Sequence, residues 1–147
     1  MPTDEEFRSY NREVIAEFRA NAGVVTQPDF PILLITTTGA RTGRSTTTPV
    51  AYGVEGNRVF VVASKGGAPS HPAWFHNLRA NPEVTVELGA GTYVARAVPV
   101  QGDERDRLYR LLAARIPALA AYEQHTSRVF PVVVLEGVPA PDRLGPP

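Results

Sequence analysis

The chain contains no cysteine. That removes disulfides, thiolate nucleophiles, iron–sulfur clusters and every Cys-ligated zinc arrangement. Histidine is scarce as well. His71 and His76 lie in an acid-poor stretch that offers no third ligand, and His125 is isolated, so no metal centre is expected. From Phe30 to Pro82 the one acidic residue is Glu55. This segment holds the candidate serines, and it has neither paired carboxylates nor a serine–histidine–acid arrangement. Long apolar runs are missing too, since none approaches the ~20 residues that span a bilayer. The start, Met1-Pro2-Thr3-Asp4-Glu5-Glu6, is acidic and lacks the apolar stretch of a secretory signal. A cytoplasmic location is the default expectation.

What is present suits one globular domain over residues 1–147. Hydrophobic residues make up 43% and charged residues 20%, enough to bury a core without staples. Fifteen basic and fifteen acidic side chains cancel, so bulk charge advertises no nucleic-acid partner. The distribution is uneven. Between Phe30 and Pro82, Arg41, Arg44, Arg58, Lys65 and Arg79 stand against Glu55, a local net charge of +4, and the rest of the chain carries −4. A positive middle on a neutral chain points to a local anion site.

Phe7, Tyr10, Val14 and Phe18 recur at helical spacing between Asp4 and Asn21. Thr3 and Glu6 form a capping box, and Gly23 ends the helix. With five acids against three bases from Asp4 to Arg19, this face suits core or partner packing better than anionic lipid. Strands are expected at Ile32–Thr38, Thr46–Val54, Arg58–Ser64, Glu83–Leu88, Thr92–Gln101 and Phe130–Glu136, with turns short enough for antiparallel neighbours. Six such strands suit a small closed or half-open barrel, so the fold class is α+β and mainly β. A short helix runs from His71 to Ala80 with Pro72 at its first position. A longer one runs from Asp103 to Gln124 and breaks at Pro117. Residues 138–147 form a Pro-rich, loosely packed tail. The apolar first helix and open barrel edges would suit a homodimer.

Two segments carry chemistry. Thr36 to Thr46 is a strand end followed by a turn with Gly39 and Gly43, hydroxyls, and Arg41 and Arg44. Glycines let backbone N–H groups approach an anion, hydroxyls donate to phosphate oxygens, and arginine binds them bidentately. It is not a Walker A loop, because the glycine spacing is one residue short, the lysine is absent and a strand follows. In the second segment, Ala63 to Asn77, a strand ends at Ser64-Lys65 and a Gly-rich loop leads to Trp74, the only tryptophan. A hairpin of the second and third strands would bring Lys65 and Arg41 to the same barrel rim. Trp74 serves either core packing or as a flat wall for an aromatic ligand. Anion donors and aromatics with few acid–base groups are what a cofactor-carrying site contains.

The runs Leu33-Leu34-Ile35-Thr36-Thr37-Thr38-Gly39, Thr48-Pro49-Val50, Val62-Ala63-Ser64-Lys65-Gly66-Gly67-Ala68-Pro69, His71-Pro72-Ala73-Trp74-Phe75-His76-Asn77-Leu78 and Ala80-Asn81-Pro82 together resemble the deazaflavin-dependent nitroreductase family. The resemblance covers roughly residues 5 to 137. It implies a split β-barrel related to the flavin reductases, coenzyme F420 (an 8-hydroxy-5-deazaflavin) as cofactor, and an actinobacterial source. It implies that Lys65 contacts the coenzyme phosphate together with Arg41 and the turn of Thr38, Gly39, Thr42, Gly43 and Arg44. Pro49, Val50, Ala63, Ser64, Ala73 and Trp74 would surround the deazaflavin ring. Relatives often carry an arginine at Thr46, for which Arg44 would substitute, and a base where this chain has Ala40. Nitroreductase members line the substrate side with several tyrosines; the matching places here hold Tyr122, Ile116 and Leu119. The activity implied is hydride transfer from the reduced deazaflavin to a small-molecule acceptor: a quinone, an activated alkene or a nitroaromatic. Tyr122, Ser64 or a water would supply the proton. Two other readings stand beside it: an FMN-dependent reductase of the same fold, and a carrier that binds the coenzyme or a lipid without turnover.

Overall fold

A computed structural model describes residues 3–68 and 70–141. Helix α1 spans Asp4–Ala20. Thr3 Oγ1 accepts from the Glu6 N–H at 3.1 Å and donates to Glu6 Oε1 at 3.2 Å, which fixes the first turn. The helix ends through Ala22 at φ 51°, and the Gly23 N–H closes on the Phe18 carbonyl at 2.8 Å.

The strands are β1 (Ile32–Thr38), β2 (Ser45–Glu55), β3 (Arg58–Val62), β4 (Glu83–Leu88), β5 (Gly91–Val100) and β6 (Val132–Glu136). They close into a barrel in the order β1-β2-β3-β6-β5-β4, and every neighbouring pair is antiparallel. Closure removes the open strand edges expected as a dimer surface. Helix α2 spans Ala73–Ala80, α3 spans Gly102–Ala113 and α4 spans Pro117–Glu123.

Pro117 divides the last helical segment as expected, standing at the start of α4. Three boundaries differ by two residues, and the others by one at most. Strand β3 stops at Val62, because Ser64 takes helical angles and Lys65–Gly67 form a single 3-10 turn. Strand β6 begins after Pro131, which has no N–H to give a ladder. Pro72 precedes α2 as its cap in extended conformation and is not its first helical residue.

Leu33, Ile35, Val50, Tyr52, Val59, Val61, Val86 and Leu135 fill the barrel interior, and Trp74, Phe75 and Leu78 of α2 pack into the same cluster. Outside, Val14 and Phe18 of α1 cover Ile32 and Leu34. Leu108, Leu112, Ile116 and Leu119 of α3 and α4 cover Phe60, Val62, Val132 and Val134. The first four residues of β1 are therefore buried on both faces, which is why residues 32–35 read as an unbroken apolar run. The apolar face of α1 is spent on the barrel, and no helix among the described residues is long and apolar enough to cross a membrane. The tail expected from residue 138 starts anchored, since Val138 is 5% exposed and Ala140 packs against the barrel core. Pro69 and residues 142–147 lie outside the described residues.

Glu55, the lone acid of the positive middle, has a structural task. It receives Arg107 Nε and Nη2 at 2.6 and 2.9 Å and Arg58 Nη2 at 2.6 Å, and Arg58 also reaches Glu104 at 3.1 Å. The network ties α3 to the β2–β3 hairpin. These hydrogen bonds, Arg107 first, pull the Glu55 carboxyl from 4.5 down to about 2. A depressed carboxylate pKa means that the unfolded chain binds the proton more readily. The stabilisation is complete above pH 4.5 and is lost as pH falls toward 2. Glu55→Gln should therefore melt below the wild type at pH 6, and the gap should close as thermal scans move from pH 4.5 to 2. High salt should narrow it too, because the pairs are solvent-exposed. A gap constant in pH would show that Glu55 contributes by shape alone.

Candidate functional site

Helix α1 covers the outside of β1, and α3 and α4 cover the outside of β3 and β6. Between them, α1 and α3 each touch part of β2, and a gap is left over the rest of its outer side. A cavity of about 550 Å³ opens there, within the usual range for a small-molecule site. Its walls come from six parts of the chain, and the entry into β1 supplies Pro28, Phe30 and Ile32. Strand β2 supplies Thr46, Thr48, Pro49, Val50 and Ala51; the loop after β3 supplies Ser64 and Lys65; the start of α2 supplies Ala73 and Trp74. The α4 region supplies Ile116, Leu119 and Tyr122, and α1 supplies Phe7, Tyr10, Asn11 and Val14.

The β2–β3 register explains the meeting of distant residues. Tyr52 pairs with Val61, so the chain leaving β3 runs back alongside Val50 and Pro49. Pro49 pairs with Leu34 on the other side. Trp74 is 5% exposed and packs in the barrel core while also reaching the cavity wall. Tyr10 and Tyr122 are close enough to interact across the cavity. Burial, with Tyr122 nearby, pushes the Tyr10 phenol above its usual 10.

The turn between β1 and β2 stands apart from the cavity. The Gly39 N–H donates to the Arg44 carbonyl at 2.7 Å and the Gly43 N–H to the Gly39 carbonyl at 3.0 Å, with Gly43 at φ 70°. The Arg44 N–H donates to Thr42 Oγ1 at 3.2 Å. Helix α2 holds this turn. Buried Asn77 accepts from the Ala40 N–H at 3.0 Å and donates to Thr37 Oγ1 at 3.1 Å, and Asn81 Nδ2 donates to the Thr38 carbonyl at 3.3 Å. Arg41, Thr42, Gly43 and Arg44 are exposed, and Arg41, Arg44 and Lys65 make no ion pair among the described residues. Thr46, which lines the cavity, follows Arg44 by about 7 Å of strand.

Of the residues singled out in the sequence, Thr46, Pro49, Val50, Ser64, Lys65, Ala73, Trp74 and Tyr122 share the cavity. Thr38, Gly39, Arg41, Thr42, Gly43 and Arg44 do not line it. Ala63 is fully buried in the barrel interior and faces away from the cavity. The rings of His71 and His76 approach to 5.9 Å, yet no group of three metal-binding side chains occurs among the described residues.

Three contributions are invisible in the sequence motifs. Helix α1 brings Phe7, Tyr10 and Asn11 to the cavity; its apolar face was legible, but where its first turns land was not. Gly67, at φ 82°, lets the loop touch α4, since a Cβ there would lie 2.7 Å from the Tyr122 carbonyl oxygen. Arg128 reaches the same loop from beyond α4.

A family model for F420H(2)-dependent quinone reductase matches residues 10–137. An F420H(2)-dependent quinone reductase of Mycobacterium tuberculosis is 42% identical over 108 residues, which cover 71% of this chain and 72% of that protein. A solved F420-H2 dependent reductase (FDR-A) is 38% identical with a TM-score of 0.66, covering 72% of this chain and 94% of its own. A second solved structure, described as a domain-swapped dimer, is 34% identical with a TM-score of 0.67 and covers 91% of this chain and all of its own.

Proposed function

This chain belongs to the F420H(2)-dependent quinone reductase family, and from that premise we propose where its reaction takes place and which residues serve it. The protein is an oxidoreductase, and its cofactor is coenzyme F420. When bound, the reduced coenzyme supplies a hydride to the acceptor. The observation that carries the site assignment is the convergence of Pro49–Val50, Ser64–Lys65, Ala73–Trp74 and Tyr122, from four separate segments, on one cavity.

The side chains present fit the chemistry of the coenzyme. Pro49, Val50, Ala73 and Trp74 offer flat apolar walls for a planar ring. Lys65 offers a cation with no ion pair among the described residues, in the cavity that also holds Ser64 and Thr46. Arg41 and Arg44, further along the β1–β2 hairpin, extend the positive surface toward a phosphodiester and its carboxylates. The acceptor occupies the side lined by Ile116, Leu119, Tyr122, Phe7 and Tyr10. Reduction of a quinone to a hydroquinone takes one hydride and one proton. Tyr122 Oη holds that proton, and the surrounding apolar wall excludes water from the acceptor. Positioning and electrostatics are the protein's contribution. A homodimer belongs to the same reading, supported by the neighbour described as a domain-swapped dimer.

Titration with oxidised F420, followed by Trp74 fluorescence, tests the assignment. Wild-type protein should quench on binding. Lys65→Ala should weaken the affinity by about 1.5–3 kcal/mol, the range for a hydrogen bond to a charged group, or roughly 10- to 150-fold. Unaltered affinity in Lys65→Ala would remove the lysine from the coenzyme site, and absence of quenching in the wild type would remove Trp74.

A further inference from the structure

Arg128 belongs to no motif and lies between α4 and β6. Its guanidinium stacks over the Phe130 ring at 4.8 Å, and among the described residues no carboxylate pairs with it. Instead its donors all go to one loop. Nη1 donates to the Ala63 carbonyl at 3.0 Å, Nη2 to the Ser64 carbonyl at 2.5 Å and Nε to the Ala68 carbonyl at 3.0 Å. Nη1 also meets His71 Nδ1 at 2.7 Å. A neutral His71 accepts there through Nδ1. Burial and the nearby Arg128, His76 and Arg79 all favour that neutral form.

This loop carries Ser64 and Lys65 into the cavity. Lys65 sits at φ 48°, a left-handed conformation that residues with a side chain adopt only when their surroundings hold them there. The arginine grips the chain on both sides of it, at residues 63 and 64 before and at 68 after. A planar fork of donors suits several carbonyls at once; an ammonium or an amide does not reproduce that geometry. A charge placed among backbone carbonyls, with no anion beside it, is an expensive way to staple a surface loop. It is intelligible where the loop must hold one shape.

We propose that Arg128 is the positioning residue of the coenzyme-anion site. It gathers the carbonyls of Ala63, Ser64 and Ala68 and so holds Lys65 against the cavity without touching the coenzyme itself. The inference rests on the assignment of Lys65 to the coenzyme, and a double-mutant cycle separates the two. F420 affinity is measured for Lys65→Ala, Arg128→Gln and the double variant, with quinone KM and melting temperature alongside. Arg128→Gln should bind F420 about tenfold more weakly, with quinone KM within about twofold of wild type. The double variant should bind no more weakly than Lys65→Ala alone, because Arg128 acts through the lysine. Multiplying losses, or wild-type affinity in Arg128→Gln, would overturn the proposal while leaving Lys65 in place. Unchanged affinity in Lys65→Ala would remove both. Should Arg128→Gln fail to fold, Arg128→Lys keeps the charge and the stem but not the fork. It should lose affinity at near-native melting temperature, and wild-type affinity there would equally overturn the role.

Discussion

Replacing Tyr122 with phenylalanine is expected to lower kcat for quinone reduction by about 10²-fold or more, the contribution typical of a positioned proton donor. The affinity for oxidised F420 should stay within about twofold. The argument is one of inventory. The side proposed for the acceptor holds Phe7, Ile116 and Leu119, which have no proton to give, and two phenols, Tyr10 and Tyr122, with Arg8 and Asn11 of α1 in the same cavity. The Tyr10 phenol is pushed above its usual 10 by burial and by Tyr122, so it keeps its proton through neutral pH. Tyr10 is 42% exposed, which makes it the weaker candidate, and Tyr10→Phe should cost less than Tyr122→Phe. Single-turnover measurements with a soluble quinone decide between them. An unchanged kcat in Tyr122→Phe would transfer the role to Tyr10 or Ser64, and Tyr10→Phe and Ser64→Ala would then be compared. A parallel loss of coenzyme affinity would make Tyr122 a binding group instead.

The second large effect is expected at Gly67. A side chain there must adopt φ 82°, and its Cβ would lie 2.7 Å from the Tyr122 carbonyl oxygen and 3.2 Å from the Tyr122 Cα. The obstacle is backbone, so no side-chain rotation relieves it. Gly67→Ala must therefore push the Lys65–Gly67 turn and α4 apart. That separates the lysine assigned to the coenzyme from the tyrosine assigned to the acceptor. Both F420 affinity and kcat should fall together, unlike in Lys65→Ala or Tyr122→Phe. With about 2 kcal/mol of strain, the melting temperature should drop by roughly 4–8 °C. Gly56→Ala is the comparison. It shares a positive φ, 60°, but nothing lies within 4 Å of its Cβ, so it should lose some stability and keep its kinetics. Equal kinetic losses in both variants would show that the contact with α4 does not matter to the site.

Much of the fold was legible because its signals are local. The Thr3–Glu6 cap, the break at Pro117 and the full extent of β1 and β4 follow from residues within one turn or one strand of each other. The end of β3 also involves a distant partner. Strand β3 ends at Val62 although Ala63 and Ser64 are strand-compatible: Ser64 takes helical angles, and both carbonyls accept from the distant Arg128. The β1–β2 turn is an anion-binding pattern by composition, yet its place beside the cavity, not within it, depends on Asn77 and Asn81 of α2. Nothing near residue 40 in the chain announces that.

The sequence by itself determined the antiparallel, strand-rich class of the fold, the helices and the cap of the first one, the positive middle, and the residues that mark the family. Each of these depends on residue type and short spacing. Only the tertiary structure decided that the barrel closes and that a cavity is left beside β2. It also decided that α1 brings Tyr10 across from Tyr122, and that Arg128 grips a carbonyl 64 residues away. The physical reason is that a helix or a strand is specified by its own hydrogen-bonding period. A cavity is the space left where packing between distant elements stops, and no local pattern encodes where that happens.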